Sequence, residues 1–412
     1  MFRIVLKFGG TSVGSVERIN HVAKIVKSEV DLGNQIVVVL SAMAGETDRL
    51  INLTKELSND FQDSEFDVVI SSGEQVTAGA LSGLLNSLGI KAQSRLGWQI
   101  PIVTSGDHKS ARIEAIHSKE LINLLELNEV IVIPGFQGIN SEGRITTLGR
   151  GGSDTSAVAI AAAIDADFCD IYTDVDGVYT SDPNKVPTAK RLDKISYEEM
   201  LEMASLGAKV LQTRSVETAM NNDVVLRVLS SFSDIGEDKK GTLVCPEDSI
   251  ADKKIVTGVA ASTNDSKLTL TGIKDKPGVA AEILSVLADD GINVDMIVQN
   301  ISDDRKTTDL TYTVPNDESI RAKELMEGLS SSLSYKELIV DNNIAKISIV
   351  GVGMRSNAGV ASQMFRVLSQ NNINIDVIST SEIKISVLIN KGLTEKALNT
   401  LHDHFELGNT TN

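Results

Sequence analysis

The chain has little of what several classes of protein require. Its 412 residues include only two cysteines, Cys169 and Cys245, which lie far apart and fit no metal-binding or redox spacing. No apolar run approaches the ~20 residues that cross a membrane. The first residues have the pattern of a strand rather than of a signal peptide. We therefore expect incidental, reduced thiols and a soluble protein of the cytoplasm.

Positive charge is also scarce. The sequence has 39 Lys and Arg against 56 Asp and Glu, a formal net charge of −17 at pH 7, and it has no polybasic stretch. Nucleic acids and anionic membranes need a positive footprint, so neither is an expected partner. A phosphate-bearing ligand would need a few locally placed cations. His402 and His404 are interpreted as surface residues rather than metal ligands, and no metal-ligating set is predicted.

The length favours two or three domains. Up to about residue 235, strand-like runs such as 36–40 and 130–133 alternate with amphipathic helices. Continuous apolar strands between helices predict a sheet that is covered on both faces, an α/β sandwich. The charged, glycine-containing stretch that follows, 236–254, is predicted to be a linker.

The remaining sequence contains an internal repeat. Pro277-Gly278-Val279-Ala280 matches Ala358-Gly359-Val360-Ala361, and the same 81-residue offset relates Ile292-Asn293-Val294-Asp295 to Ile373-Asn374-Ile375-Asp376. Each copy predicts a strand, a turn, a helix, an Asn-x-Asp turn and two further strands. Units this small are expected to pair with each other. Interfaces between paired modules are good places for small-ligand pockets.

Two glycine turns follow predicted strands. In the first, Lys7-Phe8-Gly9-Gly10-Thr11-Ser12, the glycines would let backbone N–H groups approach phosphate oxygens beside a helix N-terminus. It is not a Walker A loop, because the lysine precedes the glycines. Gly-Gly alone is most simply a tight turn. Lys7 favours an anionic partner, because a lysine in an apolar strand is otherwise costly.

The second turn is Gly149-Arg150-Gly151-Gly152-Ser153-Asp154, before an alanine-rich helix. Ser153 or Asp154 could simply cap this helix. Alternatively, Arg150 offers a fork for a carboxylate, and Asp154 could orient an ammonium group. A third stretch, Thr173-Asp174-Val175-Asp176-Gly177, superficially suggests a calcium loop, but the remaining ligand positions are missing.

Together with Ser41-Ala42-Met43 and Ser72-Gly73-Glu74, these motifs resemble those of the aspartate kinases of the amino-acid kinase superfamily, in order and over essentially the whole chain. The repeat resembles tandem ACT domains, with Asp275-Lys276-Pro277-Gly278 and Asn293-Val294-Asp295 as the ligand-site signature. The resemblance implies a three-layer α/β/α amino-acid kinase domain at 1–235. Two βαββ-type ACT domains would follow, one at 265–340 and one built from 255–264 and 341–412.

The implied activity is ATP-dependent phosphorylation of the side-chain carboxylate of L-aspartate to 4-phospho-L-aspartate, the first step of lysine, threonine and methionine biosynthesis. By this resemblance Lys7 would bridge the β- and γ-phosphates, and Asp154 would hold it in line. Arg150 would grip the α-carboxylate of aspartate, and Glu74 would take its ammonium group. The substrate side would also include Ser41, Thr47, Gly151 and Ser153.

The implied nucleotide is ATP with Mg²⁺ held mainly by its phosphates, so no protein ligand is assigned to the metal. Many relatives carry arginine where Lys185 stands; lysine keeps the charge but loses the fork. Lys209 could equally be a solvated helix lysine. Besides Lys7, the implied nucleotide-binding residues are Gly9, Gly10, Ser12, Thr173, Asp174, Tyr179, Asp182, Lys185 and Lys209.

The ACT resemblance implies feedback by lysine and/or threonine, bound where ACT units pack together in a homodimer or homotetramer. One side of the site would comprise Asp275, Lys276, Pro277, Gly278, Val279, Asn293, Val294, Asp295 and Gln299, and the other Val360, Ala361, Asn374, Ile375, Ser381 and Glu382. Two alternatives stay open. The paired units and the Lys7 motif argue against a glutamate kinase. The intact set of Lys7, Glu74, Arg150 and Asp154 argues against a non-catalytic amino-acid sensor.

Overall fold

Two units share the chain, and their division does not follow sequence order. The computed structural model describes residues 1–127, 129–206, 210–233, 241–251, 254–301 and 306–408. One unit comprises Met1–Val178 with Arg191–Asp252, and the other comprises Tyr179–Lys190 with Lys253–Asn412. The segment Tyr179–Lys190 therefore belongs to the second unit, although it lies inside the expected kinase domain.

The first unit alternates strands and helices as its sequence predicts. Its elements are, in chain order, β1 (Arg3–Phe8), α1 (Val16–Asp31), β2 (Gln35–Leu40), α2 (Glu46–Leu57), α3 (Asp63–Ser87), β3 (Ala92–Ser94), β4 (Ile102–Thr104), β5 (Ile113–Ile116), α4 (Lys119–Glu126), β6 (Val130–Pro134), β7 (Gln137–Ile139), β8 (Ile145–Thr147), α5 (Gly152–Ala163), β9 (Phe168–Thr173), β10 (Lys194–Ser196), α6 (Tyr197–Ser205), α7 (Thr213–Asn221), β11 (Leu226–Ser230) and β12 (Thr242–Cys245).

The main sheet of this unit is eight strands wide in the described residues, in the order β10-β12-β11-β9-β1-β2-β6-β3. All its neighbouring pairs are parallel except β11 with β12. A smaller sheet has the order β5-β4-β7-β8. The strand β12 lies inside 236–254, so the prediction of a linker there was wrong for Thr242–Cys245.

The two faces of the main sheet are set by the alternation of side chains along β1. Ile4, Leu6 and Phe8 pack in one buried cluster with residues of α1 and α3 such as Val26 and Leu81. Burying side chains of this size contributes about 1.5–3 kcal/mol each. Lys7 points to the opposite face, where α5 packs against β1 and β9. The expected α/β class with covered faces is confirmed.

The second unit contains the two copies of the repeat. Its elements are β13 (Gly258–Ser262), β14 (Asp265–Lys274), α8 (Val279–Asp289), β15 (Asp295–Ile301), β16 (Thr307–Pro315), α9 (Ser319–Gly328), α10 (Ser330–Leu333), β17 (Glu337–Asp341), β18 (Ile344–Val350), α11 (Val360–Gln370), β19 (Val377–Thr380), β20 (Lys384–Asn390) and α12 (Thr394–His404).

Each copy of the repeat has its own antiparallel sheet. The first has the order β15-β16-β14-β17, and the second has the order β13-β18-β20-β19. The second sheet thus takes β13 from before the first copy. Both α8 and α11 begin directly after a glycine in the left-handed conformation, Gly278 and Gly359, with φ of +94° and +92°. Glycine adopts this conformation at little cost, which explains its recurrence at offset 81.

The segment Tyr179–Lys190 is built into the core of the second copy. Val186 is fully buried in the same cluster as Val259 and Leu401. The fully buried imidazole of His402 lies 2.9 Å from Thr180 Oγ1 through Nε2 and 3.3 Å from Thr188 Oγ1 through Nδ1. The interpretation of His402 as a surface residue was wrong, whereas His404 is exposed.

Two further predictions concern the whole chain. Cys169 and Cys245 are both free and buried, as expected of incidental thiols. None of the described helices combines the length and the apolar character that crossing a bilayer requires.

Candidate active site

A cavity of about 420 Å³ opens in the first unit, among β1, the chain after β2, α3 and the start of α5. Its lining contains every residue expected on the substrate side: Ser41, Thr47, Glu74, Arg150, Gly151 and Ser153. Lys7, Gly10 and Asp154 line it as well. Sequence positions as distant as 7, 74 and 150 are thus brought together. Asp48, Phe136 and Gln212, which no motif singled out, complete parts of the wall.

Lys7 and Asp154 form an ion pair in this cavity, with Lys7 Nζ 2.5 Å from Asp154 Oδ1. Both side chains are only 11% exposed. A charge buried this far is costly without a partner, so the pair fixes the lysine in position. Asp154 lies in the first turn of α5, whose N-terminal N–H groups favour an anion. The site therefore has a cation and a helix N-terminus in the same place.

The Arg150 loop owes its shape to two glycines. Gly149 and Gly151 have φ of +75° and +74°, where other residues are strained. A Cβ on Gly151 would also lie 2.2 Å from Gln212 Cγ. The backbone of Gly151 takes the cap position of α5, and no side chain caps this helix. Ser153 and Asp154 are inside the first turn, so the capping alternative was wrong, and both side chains are available to the cavity.

Glu74 supplies a carboxylate from α3. Its Oε1 accepts a hydrogen bond from the backbone N–H of Ala42 at 3.1 Å. Its Oε2 is buried and has no hydrogen-bond partner among the described residues. Burial raises the pKa of Glu74 to about 7, against the lowering effect of the Ala42 N–H. A group that brought a positive charge to Oε2 would stabilise the ionised form.

The residues of the first glycine turn differ in their surroundings. Gly10 lines the cavity, and a Cβ at this position would lie 2.9 Å from the carbonyl oxygen of Ala42, so the close approach requires glycine. The N–H of Gly9 donates a long hydrogen bond, 3.4 Å, to Tyr172 O. Ser12 is buried, and its hydroxyl donates to Ser231 Oγ at 2.8 Å.

Thr173 and Asp174, expected at the nucleotide, lie where β9 ends. The ends of β1, β9 and β11 meet at one edge of the sheet, the edge at which open parallel sheets bind ligands. Ser231 and Arg18 also lie there: Arg18 Nη2 donates to Ser231 O at 2.5 Å, and its guanidinium lies 3.9 Å from the Phe232 ring centroid. No local sequence pattern marked these residues.

Three other expected nucleotide residues are not in the first unit. Tyr179, Asp182 and Lys185 lie in the segment that packs within the second unit. There the carbonyl oxygen of Lys185 accepts a hydrogen bond from Asn399 Nδ2 at 2.9 Å. Lys209 lies outside the described residues.

The expected effector residues occupy corresponding turns of the two copies. Asp275–Val279 in the first copy and Val360 and Ala361 in the second lie at the starts of α8 and α11. Asn293–Asp295 precede or begin β15, and Asn374 and Ile375 precede β19. Gln299 lies in β15, and Ser381 and Glu382 follow β19.

Comparisons with known proteins agree with this architecture. The pattern of the amino acid kinase family matches residues 2–230, and that of the ACT domain matches residues 268–327 and 347–405. An aspartate kinase of Pseudomonas fluorescens is 52% identical, covering 99% of this chain and 98% of the relative.

Two crystal structures of Escherichia coli aspartokinase III are also similar. The complex with aspartate and ADP, in the R-state, has a TM-score of 0.81 at 26% identity and covers 97% of this chain and 99% of that one. The complex with lysine and aspartate, in the T-state, has a TM-score of 0.79 at 27% identity and covers 98% and 99%.

The fold and the matches define an amino acid kinase that carries ACT domains. Within that class, the 52% sequence identity to an aspartate kinase along the full chain decides the family. The chain belongs to the aspartate kinase family, and nucleotide use follows from that membership.

Proposed function

We propose that the enzyme transfers the γ-phosphoryl group of ATP to the side-chain carboxylate of L-aspartate and releases ADP and 4-phospho-L-aspartate. The observation that carries this proposal is the pairing of charges in one cavity. Arg150 and Glu74 suit the α-carboxylate and ammonium of an amino acid, while the Lys7–Asp154 pair and the start of α5 suit a phosphoryl group. The complex of the Escherichia coli enzyme with aspartate and ADP supports the same pair of ligands.

The roles follow from what in-line phosphoryl transfer demands, which is positioning and charge neutralisation. Lys7 neutralises charge on the β- and γ-phosphates, and Asp154 keeps its ammonium in line. The backbone of Gly9 and Gly10 approaches the transferred group. No general base is needed, because the attacking carboxylate is ionised at neutral pH.

The remaining substrate contacts come from Ser41, Thr47, Gly151 and Ser153 around the amino acid. Their place in the lining of the same cavity supports this assignment. Mg²⁺ would enter with ATP, which supplies phosphate oxygens as ligands.

The nucleotide assignment extends to Ser12, Thr173 and Asp174 at the sheet edge. We propose that Tyr179, Asp182, Lys185 and Lys209 also contact ATP, on the strength of the family resemblance. The assignment predicts that Lys185→Met raises KM for ATP and leaves KM for aspartate unchanged.

The ACT domains are proposed to bind lysine and/or threonine and so adjust the first step of lysine, threonine and methionine biosynthesis. The lysine complex of the Escherichia coli enzyme supports an amino-acid effector. Feedback of this kind requires that the effector binds the inhibited state more tightly than the active one. We further propose a homodimer or homotetramer joined through the ACT domains.

One assay tests the activity directly. The full chain is incubated with MgATP, hydroxylamine and either L-aspartate or L-glutamate, and the trapped acyl hydroxamate is measured with and without lysine and threonine. We expect aspartyl hydroxamate and inhibition by one or both effectors. Folded protein that gives no hydroxamate with either acceptor would favour the non-catalytic sensor, and a preference for glutamate would favour the other kinase.

A further inference from the structure

A buried carboxylate that has no part in the proposed chemistry lies behind the Arg150 loop. Asp67, near the start of α3, is fully buried. Thr147 donates to it twice, from Oγ1 at 2.6 Å and from its backbone N–H at 3.1 Å. His108 Nδ1 lies 2.7 Å from Oδ2, and the backbone N–H of Lys109 donates to the same oxygen at 3.1 Å. Both oxygens of this fully buried carboxylate thus have hydrogen-bond partners.

The residues that Asp67 holds are close in the chain to the Arg150 loop, which lines the cavity. Thr147 is the last residue of β8, and Arg150 follows three residues later. The loop between them is fixed from its other side, because Arg214 Nη1 donates to Leu148 O at 2.7 Å. The carbonyl oxygen of Lys109 lies 3.0 Å from where a Cβ on Gly149 would stand, so the chain at Lys109 packs against the same loop.

The helix that carries Asp67 also carries Glu74. Seven residues are about two turns of an α-helix, so the two carboxylates share one face and lie about 10 Å apart along its axis. Asp67 therefore ties the Arg150 loop to the same rigid element that presents Glu74. Between them, Ser71 O accepts a hydrogen bond from Gln137 Nε2 at 2.9 Å, which holds the smaller sheet to α3 as well.

We infer that Asp67 is a positioning residue that fixes the spacing between Arg150 and Glu74, and through it the affinity for the amino-acid substrate. The inference rests on the proposed function, in which Arg150 and Glu74 bind the two charged groups at the α-carbon. An amino acid presents these groups at one fixed separation. A small displacement of either Arg150 or Glu74 therefore weakens both contacts at once. Lys7 lies on β1, outside the loop that Asp67 holds.

The test is the variant Asp67→Asn in the full-length enzyme. The two oxygens of Asp67 each face at least one backbone N–H. In either orientation, the amide NH₂ group therefore meets a donor. We expect KM for aspartate to rise about tenfold, KM for ATP to stay within about twofold and kcat to change little. A general loss of structure would instead change kcat, or both KM values together, and would overturn the inference. So would an unchanged KM for aspartate.

The chain offers a matched control and a second substitution that tests the same inference. Asp63 lies one turn earlier in α3, is exposed and pairs with Lys109 Nζ, so Asp63→Asn should leave both KM values unchanged. If Asp67→Asn does not fold, Thr147→Val is judged by the same criteria, since it removes only the hydroxyl donor. Thr147→Ser, which retains the hydroxyl donor, should have the wild-type KM for aspartate. Wild-type turnover of aspartate is measured alongside, so that failure of the proposed function is distinguished from failure of this inference.

Discussion

Lys346 Nζ in the second copy of the repeat lies 2.6 Å from Asp295 Oδ2 in the first, and Lys267 Nζ in the first copy lies 2.8 Å from Asp376 Oδ2 in the second. The two lysines are equivalent, because Lys267-Leu268-Thr269-Leu270 of β14 corresponds to Lys346-Ile347-Ser348-Ile349 of β18. The two aspartates are related by the 81-residue offset. Each copy therefore holds the Asn-x-Asp turn of the other through an ion pair.

Asp295→Asn should loosen the contact between the two copies. The Lys346 side chain is 7% exposed and would lose its nearest carboxylate, although Asp265 Oδ2 remains at 3.7 Å. Because Asp295 is itself 59% exposed, we expect only about 1 kcal/mol of lost local stability. Amide hydrogen exchange of β15 and β18 measures it. Lys323→Met, which breaks the exposed pair with Glu327, is the control, and an equal effect in both variants would contradict the prediction.

Lys7→Met should strongly reduce turnover and spare the second unit. Methionine keeps the length of the side chain and removes the charge, so the developing negative charge in the transition state loses its cation. We expect kcat to fall about 10²–10³-fold. Binding of lysine or threonine, measured by calorimetry, should be unchanged. Lys27→Met, at an exposed position of α1, should change neither kcat nor effector binding. Loss of effector binding in Lys7→Met would contradict the division of roles between the units.

The activity should depend on pH through Glu74. Burial raises the pKa of this carboxyl to about 7, and only its ionised form pairs with the ammonium of aspartate. We therefore expect kcat/KM for aspartate to fall about tenfold per pH unit below pH 7. In Glu74→Gln, the value should be lower throughout and the bend near pH 7 should disappear. A bend that persists in the variant would assign the titration to another group, such as the nucleotide phosphate.

His402 should make the second unit sensitive to acid. Burial lowers the pKa of its imidazole from 6.5, so the unfolded state takes up a proton at a pH at which the folded state stays neutral. The stability linked to this group is full above pH 6.5 and is lost as the pH falls below it, by at most about 1.4 kcal/mol per pH unit. Urea midpoints at pH 7.5 and 5.5 should differ less in His402→Gln than in the wild type. The exposed His404→Gln should behave as the wild type.

Local patterns predicted the parts of the fold and the cavity that depend on local sequence. Glycine turns between strands and helices marked Lys7 and Arg150, and runs of apolar residues marked the strands of the sheet. Both signals are local, because a few consecutive residues determine the backbone conformation of a turn and the burial of a strand. The residues that brace the cavity were not predicted. Asp67 and Arg214 act on chain segments 40 to 100 positions away, and nothing beside them in the sequence identifies their partners.

Two wrong predictions have different physical causes. Four residues, Thr242–Cys245, are too short a run to stand out from a charged stretch, yet pairing with β10 and β11 makes them a strand. His402 could have been recognised. It lies four positions after Leu398, one turn further along α12. The two side chains therefore share the buried face of this helix, and helical periodicity places His402 in the core.

The segment Tyr179–Lys190 bears on how such enzymes can be recombined. Its Val186 packs in the same core as Leu401, and its Thr180 O accepts the backbone N–H of Val259 at 2.8 Å. Exchanging only residues 254–408 for those of a relative would pair a foreign core with a native segment. A chimera with a different effector response should therefore take both Tyr179–Lys190 and residues 254–408 from the same relative. We expect these two segments to change together when the ACT domains of related enzymes diverge.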